Sequence, residues 1–184
     1  TGSKPFVPAI SGSDLKGVIS FRDIHDVNTM LDYCKNKKNA VVIGGGLLGL
    51  EAAYGLKQRG MRVTVLHLMD RIMERQLDSR ASSLLKQSIE AKGIQIITQA
   101  NTEALIGEQG HVKHVQLKDG TVLNADLVVF AVGIRPNMAL AQSAGLRCNR
   151  GVMVNDTMQT FDPSIYAVGE CIEHRQQTFG LVEP

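Results

Sequence analysis

The first chemical signal in the chain is a set of three glycines. Gly44, Gly46 and Gly49 stand at G-x-G-x-x-G spacing inside residues 39–60, NAVVIGGGLLGLEAAYGLKQRG. That spacing suits the pyrophosphate of a dinucleotide. The first glycine permits a tight turn, the second lets the backbone approach a phosphate, and the third lets a helix pack on a strand. A helix opening at Leu47 and Leu48 turns its free N–H groups and positive dipole end toward the anion. Other chemistries find less support. No nucleophile–base pair or paired carboxylates stand out, so hydrolysis is not indicated. Glu170, Cys171, Glu173 and His174 crowd together, but they mix soft and hard donors and no second cluster complements them, so no metal site is expected. His111 and His114 lie three apart in an expected strand and point to opposite faces.

The elements around the glycines are those the chemistry requires. Residues 40–43 (AVVI) are a short apolar run of the kind a buried parallel strand uses, and residues 47–59 follow at helical spacing. Residues 62–66 (RVTVL) read as a β-branched strand that completes a right-handed βαβ unit. Upstream, Asp23 or Asp26 is expected to cap a helix running to about Lys37, with Val27, Met30, Leu31 and Cys34 on one face. Downstream, an amphipathic helix over 78–92 is expected to turn Ala81, Leu84, Leu85 and Ile89 inward and to stop at Gly93, before a strand at 94–97. Short alternating strands at 104–106, 112–117 and 121–123, with turns at Gly110 and Asp119-Gly120, predict an antiparallel meander in place of a crossover helix. Residues 127–131 read as the next buried strand, followed by a short helix near 139–144 and strand-like stretches at 151–154 and 165–169. Residues 1–20, rich in Gly, Pro and Ser, read as an extended connecting segment. The expected fold class is α/β, a Rossmann-like three-layer domain with a β-meander.

Composition narrows the classes further. A chain of 184 residues with 43% hydrophobic content can bury one full domain and part of another. Its net charge of +2 calls for neither nucleic acid nor a membrane surface, and Arg71, Arg75 and Arg80 have acidic neighbours that make them a solvated face. No apolar run reaches the ~20 residues of a membrane span. Cys34, Cys148 and Cys171 form no C-x-x-C, which fits a reducing cytoplasm. The chain opens at Thr1 rather than Met and is expected to be an excised piece of a longer protein.

Three stretches in order, residues 44–51 (GGGLLGLE), 131–137 (AVGIRPN) and 165–170 (IYAVGE), resemble the FAD- and NAD(P)H-dependent pyridine nucleotide oxidoreductases of the two-dinucleotide-domain fold. In that family the NAD(P)H domain is inserted into the FAD domain, and residues 1–6 (TGSKPF) resemble the A-T-G-S-x-P segment that leaves the first FAD half. The resemblance implies a partial FAD-domain segment and linker at 1–22, an NAD(P)H-binding domain at 23–137, and a return to the FAD domain at 138–184. Residues 67–78 (HLMDRIMERQLD) and 169–174 (GECIEH), followed by Gly180-Leu181-Val182, are further similar to large subunits of assimilatory NAD(P)H nitrite reductases. On that resemblance the chain admits electrons to a larger flavoprotein. Hydride passes from NADH or NADPH to FAD, electrons move on to a sirohaem and iron–sulfur centre elsewhere in the parent, and the piece is not active alone. The hydride chemistry is the cofactors' own, so no catalytic side chain is assigned. A rubredoxin- or ferredoxin-reductase-like flavoprotein, or a nucleotide-binding module without chemistry, are the competing readings.

The resemblance also assigns roles. It adds Glu51, Gly133, Arg135, Gly169 and Glu170 to the cofactor-binding glycine loop. Glu51, placed in the first helical turn, offers dipole compensation of ~0.3–1 kcal/mol, and the resemblance sets the matching acid near the nicotinamide. Arg135-Pro136-Asn137 reads as a turn after a strand or, by resemblance, as a domain-crossing loop. Glu170 stands where the family has an Asp that binds the ribityl chain, one methylene longer. His67 occupies the strand end where a ribose-reading acid is expected, and Asp70 falls beyond the strand. With no carboxylate there, repulsion of a 2′-phosphate is lost, and His67, Arg62 or Arg71 would attract one. Affinities for NADH and NADPH are then expected within about tenfold.

Overall fold

The computed structural model describes residues 1–178, so Gly180, Leu181 and Val182 lie outside the described residues. Along the chain the elements are β1 (Ser3–Pro5), β2 (Val18–Ser20), α1 (Ile24–Asn36), β3 (Asn39–Ile43), α2 (Leu47–Gln58), β4 (Arg62–Leu66), α3 (Ser79–Ala91) and β5 (Ile94–Ile97). They continue through β6 (Thr102–Glu108), β7 (His111–Leu117), β8 (Val122–Asn124), β9 (Leu127–Phe130), β10 (Ile134–Pro136), α4 (Ala139–Ser143), β11 (Val152–Val154), β12 (Ile172–His174) and β13 (Gln177–Thr178). Two compact units result, one from Val7–Val132 and one from Thr1–Phe6 with the chain from Gly133 onward.

The Val7–Val132 unit is built on a five-stranded parallel sheet in the order β2-β9-β3-β4-β5. Residues 40–43 and 127–130 are wholly buried because this sheet is covered on both faces. Alternation along each strand sorts the side chains. Ala40, Val42, Val63, Val65, Leu127 and Val129 pack with Met30, Ala52, Ala53 and Leu56 of the helices. Val41, Ile43, Val128 and Phe130 pack instead with Leu105, Val112, Val115 and Leu117 of the antiparallel β6-β7-β8 meander. Helices, parallel sheet and meander are the three layers, and the meander replaces the crossover helix between β5 and β9.

Local chemistry sets the helix ends. Asp23 caps α1 by accepting from the His25 and Asp26 N–H groups, and Asp26 reaches back to the Asp23 N–H, closing a capping box. Asp78 caps α3 through the Ala81 N–H at 2.8 Å. The inward face of α3 differs from expectation: Leu84 is exposed, whereas Ser82 is buried and donates to the Ile72 carbonyl at 2.7 Å. Leu85 and Ile89 reach the core from the same side as Ser82, at i+3 and i+7. A second difference is β2, which pairs in parallel with β9, Val18 opposite Val128, although its stretch reads in sequence as a connecting segment.

In the other unit β1 pairs antiparallel with β10, Ser3 opposite Pro136, and β11-β12-β13 form a small sheet. Residues 165–169 make only an isolated bridge, Gln159 to Tyr166, rather than the expected strand. Glu173 is buried and accepts from the Asn149 amide at 3.1 Å and from the Arg150 and Gly151 N–H groups at 2.7 and 3.2 Å, so its carboxylate serves the fold. No helix among the described residues is long and apolar enough to cross a membrane.

Candidate dinucleotide site

The glycine loop lies at the carboxyl end of β3, where an α/β sheet binds its ligands. Gly44 turns the chain at φ +126 and donates to the Leu66 carbonyl at 2.8 Å. A Cβ on Gly44 would sit 2.2 Å from the Ala131 carbonyl oxygen, and one on Gly49 would sit 1.9 Å from the Gly44 oxygen. Both must be glycine because backbone occupies the space. Gly46 is different. It is the N-cap of α2, no side chain caps it, and a Cβ there would meet nothing within 4 Å. Open space thus fronts the uncapped N–H groups of Leu47 and Leu48, a cradle that fits the pyrophosphate of a dinucleotide. Gly45, which carries no role in the spacing motif, is also required: its Cβ would meet His67 Cγ at 2.8 Å and Ile72 Cγ2 at 2.9 Å.

His67 follows β4 and is 9% exposed. Its Nδ1 accepts from the Gly45 N–H at 3.0 Å, which assigns the ring proton to Nε2, 3.0 Å from Glu74 Oε2. The expectation that no carboxylate stands at this strand end is therefore corrected. The turn after β4 folds back, with the Met73 N–H donating to the Gly45 carbonyl at 3.0 Å, and brings the carboxylate of Glu74, seven residues on, against the His67 ring. Sequence spacing gives no sign of it, because the link is made by tertiary folding of the turn. Arg62 opens β4 and lies at the far end of that strand, roughly 16 Å from His67 at about 3.3 Å per residue. Arg71 is nearer, its guanidinium 3.4 Å from Asp70 Oδ1, and its Nε is buried with no hydrogen-bond partner among the described residues. Leu68 and Met69, 61% and 48% exposed, present apolar surface beside His67.

Glu51 is the fifth residue of α2 and exposed, with no acid in the first helical turn, so the placement in that turn is corrected. Dipole compensation fades beyond the first turn, which removes that structural reason for the acid. The remaining residues belong to the other unit. Gly133 has φ +110, and Arg135 lies in β10 with its guanidinium 4.2 Å from the centroid of the Phe6 ring. Gly169 has φ +87 with nothing within 4 Å of a Cβ, and Glu170 accepts from the Ser3 hydroxyl at 2.6 Å. Arg135 and Glu170 are thus both tied to the first six residues, and Ser3 is a partner the sequence reading did not single out.

The chain is 54% identical over 184 residues to the NAD(P)H nitrite reductase of Bacillus subtilis, covering all of this chain and 23% of that protein. It is 47% identical to the assimilatory nitrate reductase electron transfer subunit of the same organism, again over its full length and over 24% of the relative. It therefore spans about a quarter of these relatives. The ferredoxin reductase of Rhodopseudomonas palustris superposes with a TM-score of 0.90 at 32% identity, over 95% of this chain and 43% of that one. The likeness runs through residues 1–182 as a single match, and by it the chain belongs to the pyridine nucleotide-disulphide oxidoreductase family.

Proposed function

We propose that the chain binds a reduced nicotinamide dinucleotide and presents its hydride to a flavin, as the segment through which electrons enter a nitrite-reductase-like flavoprotein. One observation carries the reading: the open, uncapped backbone at Gly46, set between two glycines whose own spaces are filled by backbone. In this reading Gly44, Gly46, Leu47, Leu48 and Gly49 hold the pyrophosphate, and Glu51 lies along α2 toward the nicotinamide. Leu68 and Met69 give the adenine an apolar surface, and Arg135, Gly169 and Glu170 serve the flavin side. When bound, FAD supplies the two-electron acceptor. Glu170 suits a hydroxylated chain because its carboxylate already accepts one hydroxyl, that of Ser3. Sirohaem and an iron–sulfur centre belong, in this reading, to other parts of such a parent.

A ferredoxin- or rubredoxin-reductase-like parent is the second reading, favoured by the 0.90 TM-score with the Rhodopseudomonas palustris enzyme. Both readings share the nucleotide site. Calorimetric titration of NADH and of ADP-ribose onto the purified protein tests it, with one equivalent of each expected to bind per chain. No heat from either ligand at millimolar concentration would remove the reading. Residues 1–184 hold a single glycine-rich loop, so the purified 184-residue chain is expected to be colourless. They also lack the cysteine set of an iron–sulfur cluster, so the chain is expected to form no ammonia from nitrite with a chemical donor.

A further inference from the structure

We infer that Glu74, positioned by His67, makes the site select NADH over NADPH. This rests on the nucleotide reading above and adds the discrimination that reading leaves open. The two cofactors differ only at the adenosine 2′ position, a hydroxyl in one and a phosphate in the other. A carboxylate there accepts a hydrogen bond from the hydroxyl and repels the phosphate, so it both attracts one ligand and opposes the other. The place for such a group is the carboxyl end of the second strand of the βαβ unit, beside the glycine loop.

His67 holds that place but cannot read the ribose with its ring nitrogens. Nδ1 takes the Gly45 N–H and Nε2 gives its proton to Glu74, both at 3.0 Å. An imidazole accepting at Nδ1 is uncharged and offers a 2′-phosphate no cation. What the ring does is fix a carboxylate one imidazole width from the glycine loop. A carboxylate has about four acceptor positions, so one histidine proton leaves Glu74 capacity for ribose hydroxyls. Its side chain keeps 25% of its surface exposed, so it is reachable.

The surrounding contacts set this arrangement before any ligand arrives. The Met73 N–H bonds the Gly45 carbonyl at 3.0 Å, Ile72 is fully buried beneath Gly45, and Ser82 holds the Ile72 carbonyl at 2.7 Å. Glu74 therefore sits on a turn fastened to the loop on one side and to α3 on the other. Such fastening keeps an acid in place against a repelled phosphate. The same turn carries two cations, Arg71, whose guanidinium is 3.4 Å from Asp70, and Arg75, the residue after Glu74.

The test compares dissociation constants of NADH and NADPH, measured calorimetrically on the purified protein and its Glu74→Gln and His67→Ala variants. The unmodified protein is expected to favour NADH by at least about tenfold. Glu74→Gln, which keeps the shape and removes the charge, is expected to bring the ratio within about threefold, mainly through gained NADPH affinity. His67→Ala is expected to narrow the ratio as well, since the acid loses its support, and a residue with only a fold-stabilising role would leave the ratio unmoved. Should Glu74→Gln not fold, the unmodified protein carries the test. Raising salt from about 0.05 to 0.5 M is expected to narrow its ratio, because repulsion between charges is screened. A large NADH preference persisting in Glu74→Gln, a salt-independent ratio, or equal binding of both cofactors by the unmodified protein overturns the inference while the nucleotide reading stands. Failure of both cofactors to bind the unmodified protein overturns the reading and the inference together.

Discussion

Alanine at Gly46 and alanine at Gly49 should fail in opposite ways. At Gly49, helix propensity alone would gain about 1 kcal/mol over glycine. Against that, the new Cβ lies 1.9 Å from the Gly44 carbonyl oxygen and 2.9 Å from its carbon, backbone atoms that no rotamer change can move. Restoring ordinary contact requires a shift of roughly 1.5 Å, an overpacking cost of about 1–3 kcal/mol. The shift also strains the 2.8 Å bond from the Gly44 N–H to Leu66, worth about 1 kcal/mol. The net loss is about 2 kcal/mol, a fall in melting temperature of roughly 4–8 °C for a chain of this size. At Gly46 the added methyl meets nothing within 4 Å and φ is −86, so the fold loses at most about 1 kcal/mol through a poorer N-cap. The methyl does fill the approach of a phosphate that would otherwise lie about 2.9 Å from the loop N–H groups. Gly46→Ala is therefore expected to weaken NADH binding at least tenfold, or about 1.4 kcal/mol, with little change in melting temperature. Differential scanning fluorimetry and calorimetric NADH titration of both variants read the two effects separately. NADH binding by Gly46→Ala at the unmodified affinity would refute the placement of the pyrophosphate, and an unshifted melting temperature for Gly49→Ala would refute the tight loop–helix contact.

Three further outcomes follow from the fold. Burial alone would push the Asp126 carboxyl up, but bonds from the Asn39 and Lys38 N–H groups and the Asn39 amide bring it net below the usual carboxylate range. Its stabilisation is then fully present above that range and lost as pH falls through the lowered value, so the deficit of Asp126→Asn, about 1 kcal/mol at pH 7 by denaturant melts, should close below pH ~4. Ser82→Ala removes the donor from the Ile72 carbonyl at a site 2% exposed and should cost about 1–3 kcal/mol in the same assay. Arg175, then His174, holds the exposed Asp156 carboxyl at about 2, and Arg175→Gln should return it toward the ordinary range in an NMR carboxyl titration.

What the sequence shows and what it hides divide along physical lines. Strands β3 and β9 are legible because a parallel strand covered on both faces must be an unbroken apolar run, as residues 40–43 and 127–130 are. Strand β2 is not, since it is three half-buried residues at the sheet edge whose partner, Val128, lies far along the chain. Residues 165–169 have strand-like composition, yet Ile165, Tyr166 and Val168 are 37%, 61% and 70% exposed and only one bridge forms there. On α3, Leu84 and Leu85 are adjacent and cannot both face the sheet, and the buried hydrogen bond of Ser82 settles which side does. In the site, Gly44, Gly46 and Gly49 announce themselves by spacing. Gly45 is visible only as one more glycine, its reason lying in His67 and Ile72, and Glu74 enters through a turn whose course no spacing rule describes.

The glycine motif is local in sequence but its shape is imposed from elsewhere. The Gly44 N–H is held by Leu66 at the end of β4, and the Gly44 α-carbon lies against the Ala131 carbonyl just past β9. The Gly45 N–H is held by His67 and the Gly45 carbonyl by Met73. Ala131 in turn is tied to β3 through its N–H, 2.9 Å from the Ile43 carbonyl. The loop therefore takes its form only when β4 and β9 flank β3 in register, Ile43 opposite Leu66 on one side and Phe130 on the other. From β3 the sheet grows outward through β4 and β5, and the chain then returns by the meander to place β9 on β3's other edge. The site sits at this switch point, where neighbouring connections leave in opposite directions and open a crevice. The meander thus bears on the site in two ways. It covers one face of the sheet, and it delivers β9, whose end leaves no room for a side chain at Gly44. A G-x-G-x-x-G sequence lacking those three registered strands would have the same residues without the cradle.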